Sequence, residues 1–237
     1  MGNRWDSHIR VLNNCIVSGC DRQQYKTKMC PMHRQRLHRH GDTSIVLPKH
    51  RTYNFDEKIL DTWTKESAYL LGWILTDGNV SDSGSAGVHF DLKDNEAVLM
   101  LQKIFKHPKS PTNRRGYWQL NVCSRYLVNK LKSLGIGVAK SLTVSLPLIP
   151  TEWLSHFVRG IVDGDGSIVV CNGYTRLNIS SASPTLLPAL QSRISFKASL
   201  FATGKGKRQH PLWRLVYSGK EALRFCEWIY RDSEGLR

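Results

Sequence analysis

Two stretches of the chain share one pattern of apolar and polar positions. Residues 69–80 read YLLGWILTDGNV and residues 156–170 read HFVRGIVDGDGSIVV. Each is an apolar run, broken by a single early glycine, that closes on Asp-Gly: Asp77-Gly78 and Asp165-Gly166. Such a run predicts a short buried helix, with Gly78 as a left-handed stop. Gly72 and Gly160 each stand five residues before the acid. Glycine inside a helix costs about 1 kcal/mol against alanine, and close approach of a second helix is the natural reason to keep it. An aspartate in the last turn opposes the partial negative charge of the helix end. Asp-Gly is a common turn pair and explains one such residue. Its recurrence 88 positions later asks for more.

The downstream pattern recurs as well. VHFDLKDNEAVLMLQKIF begins at Val88 and LNISSASPTLLPALQSRI at Leu177. Each opens with the period-two alternation of a half-buried strand. A polar break follows, Lys93-Asp94-Asn95 or Ala182-Ser183-Pro184, and then an apolar helical pattern. Further on, residues 117–131 align with 212–226, setting Trp118 on Trp213, Leu120 on Leu215 and Arg125 on Lys220. A repeat of this kind fixes the architecture: an α+β chain of two lobes related by an approximate two-fold axis. Packing the two motif helices on that axis, through Gly72 and Thr76 against Gly160 and Gly164, brings Asp77 and Asp165 together. Two carboxylates at adjacent helix ends repel, and a hard divalent cation such as Mg²⁺ relieves them.

Charge sharpens this picture. The 237 residues carry 34 Lys+Arg against 19 Asp+Glu, a net charge of +15, which calls for a polyanionic partner. From His107 to Thr151 there are seven Lys or Arg and no acid, and from Gly166 to Lys220 eight and no acid. Two long single-sign segments, one after each Asp-Gly, point to two surfaces facing phosphates. No apolar run has the roughly 18 residues of a membrane span. With no apolar signal-peptide core at its start, the chain reads as intracellular, of the bacterial or phage-type cytoplasm. No basic amphipathic helix of sufficient size supports a membrane-surface role.

The two motifs resemble the LAGLIDADG homing endonucleases, with LLGWILTDG (70–78) and VRGIVDGDG (158–166) lying over the nine-residue signature. The sixth position is Asp163 in the second copy and Leu75 in the first. The resemblance spans residues 63–237, and LGIGVAKS (134–141) with PLIPTEWLSHF (147–157) look like the link between lobes. It implies two αββαββα lobes, 63–146 and 147–237, whose saddle-shaped antiparallel sheets track the DNA major groove. It also implies a metal-dependent endodeoxyribonuclease that hydrolyses one phosphodiester per strand and leaves short 3′ overhangs. Carried over, Asp77 and Asp165 hold Mg²⁺ (Mn²⁺ or Ca²⁺ as substitutes), aided by the carbonyls of Thr76 and Gly164. Lys140 stands where the family uses a basic residue near the metals; a phosphate-contacting surface lysine is the alternative. Its counterpart in the second half is Arg237, about two positions late. The resemblance further implies a mobile genetic element as the host of such a gene, whether intron, intein or free-standing.

The N-terminal segment carries separate chemistry. Cys15, Cys20, Cys30 and His33 follow C-x4-C-x9-C-x2-H, half the cysteines of the chain within 19 residues. Three thiolates and an imidazole suit tetrahedral Zn²⁺, and disulfides are unfavoured inside cells. Pro31 suits a helix start after Cys30; His38 or His40 are alternatives to His33. The other cysteines, Cys123, Cys171 and Cys226, fall on predicted core elements. Arg34, Arg36 and Arg39 make the following helix basic, and Gly41 ends it. Residues 1–45 are therefore expected to form a zinc-binding basic module, and 46–62 a linker lying along DNA. Further DNA contacts are expected from Arg114, Arg115, Arg125, Arg176, Lys205, Lys207, Arg208, Arg214 and Lys220, several of them as sheet residues. The leading function is site-specific cleavage of double-stranded DNA by a monomer at a long non-palindromic target. The alternative is a non-cleaving relative, an intron maturase or a transcription regulator; such relatives often lose a motif carboxylate, and both are present here.

Overall fold

The computed structural model describes residues 13–24, 28–44, 54–204 and 210–234. The chain forms two compact units, Met1–Thr52 and Tyr53–Arg237.

In the first unit a turn closed by the Asn14–Gln23 bridge leads to helix α1 (Pro31–His40). Pro31 opens it, where a missing N–H costs nothing. Gly41 ends it in the left-handed conformation, at φ 71°.

The second unit contains the same seven-element order twice. The first lobe runs α2 (Lys65–Thr76), β1 (Asn79–Ser81), β2 (Gly87–Leu92), α3 (Asn95–Ile104), β3 (Thr112–Arg114), β4 (Tyr117–Cys123) and α4 (Arg125–Ser133). The second runs α5 (Leu154–Asp165), β5 (Gly166–Cys171), β6 (Tyr174–Ser181), α6 (Leu186–Arg193), β7 (Ser199–Thr203), β8 (Leu212–Ser218) and α7 (Lys220–Tyr230). Each lobe has one antiparallel four-stranded sheet, ordered β1-β2-β4-β3 and β5-β6-β8-β7. The register repeats: Leu92 faces Trp118 as Ser181 faces Trp213, and Phe90 faces Leu120 as Ile179 faces Leu215. Alternation sends Val88, Phe90, Leu120 and Val122 of one sheet, and Leu177, Ile179, Leu215 and Tyr217 of the other, into a shared core. The opposite face holds His89, Asp91, Gln119 and Asn121 in the first sheet, and Arg176, Asn178, Ser180 and Arg214 together with Val169, Phe201 and Val216 in the second.

Local chemistry sets the helix boundaries. Thr64 and Ser67 form a reciprocal capping box at the start of α2. The Asp94 carboxylate accepts from the N–H groups of Glu96 and Ala97 at the start of α3. Ser124 caps α4 through the N–H of Leu127.

The stretch expected to link the units is partly built into the second. Leu60 is buried, and Phe55 and Ile59 pack on the core. The Tyr126 hydroxyl donates to Asp61 at 2.5 Å, and the Ser124 hydroxyl to Glu57 at 2.5 Å. Residues 54–62 thus belong to the first lobe, because their apolar side chains find cover there. Cys123 and Cys171 need correction too: they end β4 and β5 and are exposed, while Cys226 is half-buried.

Candidate functional site

The motif helices α2 and α5 meet along their lengths, and glycine is what permits it. A Cβ on Gly72 would lie 2.3 Å from the Phe157 carbonyl oxygen and 2.8 Å from Gly160 Cα. A Cβ on Gly160 would lie 2.2 Å from the Tyr69 carbonyl oxygen. Two backbones in van der Waals contact leave no room for any side chain. Further along, a Cβ on Gly164 would meet Thr76 Oγ1 at 2.2 Å and Asp77 Oδ2 at 2.9 Å. Thr76 and Gly164 therefore abut beside the carboxylate, as their spacing required. The Thr76 hydroxyl itself is engaged, donating to the carbonyls of Gly72 and Trp73.

The ends of the two helices correct one expectation. Gly78 is not left-handed; Asp77, at φ −97° and ψ −11°, ends α2. Gly166 is extended, at φ −82° and ψ 164°. Both glycines serve close approach instead. A Cβ on Gly78 would meet Ile74 Cα at 2.7 Å, and one on Gly166 the Val162 carbonyl oxygen at 2.4 Å. The chain folds back against its own helix and passes straight into β1 or β5.

Asp77 and Asp165 consequently sit near enough to feel each other. Burial first, and then the Asp165 charge, push the Asp77 carboxyl up to about 6, against the pull of Lys140. Protein packed around Asp165 raises its carboxyl as well, again opposed by Lys140. Asp165 is exposed as a residue, and the water it meets limits that effect. Lys140 opens a short 3₁₀ turn (Lys140–Leu142) and is buried at 8% exposure. Its ammonium donates to the Gly78 carbonyl. Burial lowers its pKa, while Asp77 and Asp165 hold it up. A cleft of about 190 Å³ is lined by Asp77, Gly78, Asn79 and Lys140. A second, of about 350 Å³, is lined by Asp165, Thr76, Ser141 and Ser180. The donor set is hard oxygen, crowded and anionic, with one cation beside it, and it fits a divalent metal such as Mg²⁺.

Beneath this site lies a cluster that the sequence did not reveal. Asp163 accepts from Tyr69 Oη at 2.7 Å and from Tyr230 Oη at 2.6 Å, tying α5 to α2 and α7. Arg159 is fully buried, its guanidinium 4.5 Å from the Tyr69 ring centroid. None of its three nitrogens has a hydrogen-bond partner. The sixth signature position thus clamps three helices. The partners come from positions 69 and 230, which no local pattern connects.

The predicted arginines separate by element. Arg114 and Arg176 are exposed on β3 and β6, and Arg214 is half-buried on β8. Arg115 is not a strand residue; it takes φ 54° in the turn before β4. Arg125 and Lys220 are the first residues of α4 and α7, not of a sheet. Arg125 is moreover paired with Asp82 at 2.5 Å. The alternation that suggested a sheet position ends one residue earlier, at the Ser124 cap. Lys205, Lys207, Arg208 and Arg237 lie outside the described residues, as do residues 45–53.

In the first unit the donor atoms of Cys15, Cys20, Cys30 and His33 all lie within 4.8 Å of one another. Cys15 Sγ and Cys30 Sγ are 3.3 and 3.5 Å from His33 Nδ1, and Cys20 Sγ is 4.0 Å from Cys30 Sγ. A tetrahedron with Zn–S near 2.3 Å and Zn–N near 2.1 Å has edges of about 3.6–3.8 Å, so the donors fit. Burial disfavours the Cys15 thiolate, but the Cys30 N–H and His33 outweigh it and bring the thiol down to about 6. On α1, Arg34, His38 and Arg39 are exposed and Arg36 is half-buried.

Comparison with known proteins follows the same lines. A family described as "LAGLIDADG-like domain" matches residues 152–230. Among solved structures, "The homing endonuclease I-WcaI bound to its DNA recognition sequence" is 13% identical, with a TM-score of 0.51, over 78% of this chain and 88% of that one. The "N-terminal LAGLIDADG domain of DUF199/WhiA" is 17% identical, with a TM-score of 0.48, over 78% and 93%. None of the curated proteins matches the chain. No helix among the described residues is long and apolar enough to cross a membrane.

Proposed function

From the premise that residues 152–230 form a LAGLIDADG-like domain whose fold the first lobe repeats, we propose that the protein is a site-specific, metal-dependent endonuclease of double-stranded DNA. It hydrolyses one phosphodiester on each strand and leaves short 3′ overhangs. The observation that carries this reading is the pair of motif carboxylates, Asp77 and Asp165, at abutting helix ends with the Lys140 cation beside them. A shape-only DNA-binding scaffold has no use for two crowded acids, one of which lifts the pKa of the other, against a polyanion.

Asp77 and Asp165 hold Mg²⁺, with Mn²⁺ or Ca²⁺ as substitutes. When bound, the metal supplies charge neutralisation at the scissile phosphate and an activated water. Lys140 is held against the Gly78 carbonyl, so its cation is positioned before substrate arrives. It offsets the developing charge at the reacting phosphate and keeps both carboxyls ionised for their ligand role. Residues 1–45 form a module with one structural zinc on Cys15, Cys20, Cys30 and His33, and its basic helix adds phosphate contacts. Arg114, Arg176 and Arg214 meet DNA from the two sheets.

The test is incubation of the full chain with a randomised duplex library and Mg²⁺, followed by sequencing of the cut ends. Recurrent ends at one site are expected. Asp77→Asn and Asp165→Asn should each abolish cleavage of at least one strand while keeping specific binding. Enrichment by binding, with no cut ends for the unmodified protein, favours a maturase or regulator instead.

A further inference from the structure

The two sheets are built to one register, so each residue of one outer face has an equivalent on the other. Asp91 pairs with Gln119 across β2 and β4. Ser180 pairs with Arg214 across β6 and β8. The two pairs are equivalent, since each adjoins the Phe90–Leu120 or Ile179–Leu215 pair of the core. Asp91 lies two residues beyond His89, the partner of the first residue of β1, and Ser180 one residue beyond Ile179, the partner of the first residue of β5, so both lie toward the motif ends of the sheets. Ser180 and Asp165 line one cleft.

The chemistry of the two pairs is opposite. Gln119 Nε2 donates to Asp91 Oδ1 at 2.6 Å, which fixes both side chains. The second Asp91 oxygen and the Gln119 carbonyl remain as acceptors, Asp91 at an exposed position of β2 and Gln119 half-buried on β4. A carboxylate on a face that otherwise meets phosphates is repelled, so it is tolerable only if a base edge supplies a donor. Cytosine N4 is that donor, flanked by carbon rather than by an acceptor; adenine N6 lies beside the N7 acceptor. Across the pseudo-dyad, Arg214 offers a guanidinium whose Nε is sheltered and without a partner. Its fork matches guanine O6 and N7.

We propose that Asp91 with Gln119, and Arg214 opposite Ser180, are the specificity-determining residues for the base pairs flanking the cut, the first pair reading cytosine and the second guanine. This rests on the endonuclease reading above. The dyad relates one strand in the first half-site to the other strand in the second. Read along a single strand, the target therefore carries cytosine at both related positions. A palindrome would require cytosine at one and guanine at the other.

The experiment compares cut-end profiles from the randomised library for the unmodified chain, Asp91→Asn, Arg214→Gln and Arg214→Lys. All four are first checked by thermal unfolding. Asp91→Asn should reduce the preference for cytosine about tenfold at one position and leave the other half-site alone. Arg214→Gln should do the same for guanine in the opposite half-site. Arg214→Lys keeps the charge but not the fork, so it should retain affinity and lose discrimination, which a merely structural arginine would not do. A sharp profile left unchanged by all three variants overturns the assignment while the endonuclease reading stands. No recurrent site for the unmodified chain overturns both.

Discussion

At the scale of single residues, the site sets charge against burial. Asp77 is held near 6 in the folded protein, above its ordinary value of 3.8. The folded state thus binds that proton more tightly than the unfolded state does. The resulting stabilisation is complete below about pH 4 and is lost as pH rises through about 6. In Mg²⁺-free buffer the second unit should therefore unfold at lower temperature at pH 7.5 than at pH 5. Asp77→Asn should flatten that dependence and raise the unfolding temperature at pH 7.5; a melting curve that ignores the substitution would contradict the crowded-carboxylate site. Asp163 is instead a carboxylate that accepts from two hydroxyls. Tyr230→Phe removes one of them from a half-buried carboxylate, and a loss of about 1–3 kcal/mol is expected in denaturant unfolding. Cleavage should fall less than stability, because Tyr230 touches the clamp and not the carboxylates.

Among elements, the decisive contact is α2 on α5. Its closeness comes from Gly72 and Gly160, each facing the other helix's backbone. Overpacking a core costs typically 1–3 kcal/mol because side chains can yield. Here the clashing atoms are backbone, 2.2–2.3 Å from the added carbon. Gly72→Ala or Gly160→Ala should cost at least about 3 kcal/mol or prevent folding, whereas Gly84→Ala, with nothing within 4 Å but φ of 59°, should cost only the local backbone strain. Equilibrium unfolding of the three variants checks the ranking. The strands hang from the same helices, since each motif glycine turns the chain from helix into sheet without a spacer. Moving α2 against α5 would therefore move both the carboxylates and the sheets.

On the proposed endonuclease reading, the whole molecule carries two half-site readers and one catalytic pair in a single chain. A pseudo-dyad replaces the true two-fold of a dimer, so one protein molecule per duplex is expected from sedimentation of the complex. Two chains on a palindrome would refute that. The unit Met1–Thr52 has its own donor set, and elemental analysis should find about one zinc per chain. Removing residues 1–52 deletes the exposed arginines of α1. The slope of log affinity against log salt should then shallow by roughly two to three, at about 0.9 per lost phosphate contact. An unchanged slope would mean that α1 does not touch DNA.

The sequence by itself determined whatever depends on neighbours along the chain. The repeated apolar run ending in Asp-Gly, the period-two strands and the polar breaks specified two copies of one lobe. The glycines pointed to the helix contact, and the Cys-x2-His spacing pointed to the donor cluster, because a helix start sets Cys30 and His33 on one side. Tertiary structure alone decided what depends on distant partners. Asp163 finds Tyr69 and Tyr230 only once three helices meet. The Gly78 conformation followed from a fold-back onto Ile74 and not from a left-handed stop. Arg125 left the sheet because Ser124 caps a helix, and residues 54–62 joined the lobe because its core offered cover. The pairing of Asp91 with Gln119 and of Ser180 with Arg214 is likewise a matter of cross-strand register. The paired strands β2 and β4, like β6 and β8, are separated along the chain by a helix and a strand, so no turn sets their register and contacts across the sheet decide which residue ends up opposite which.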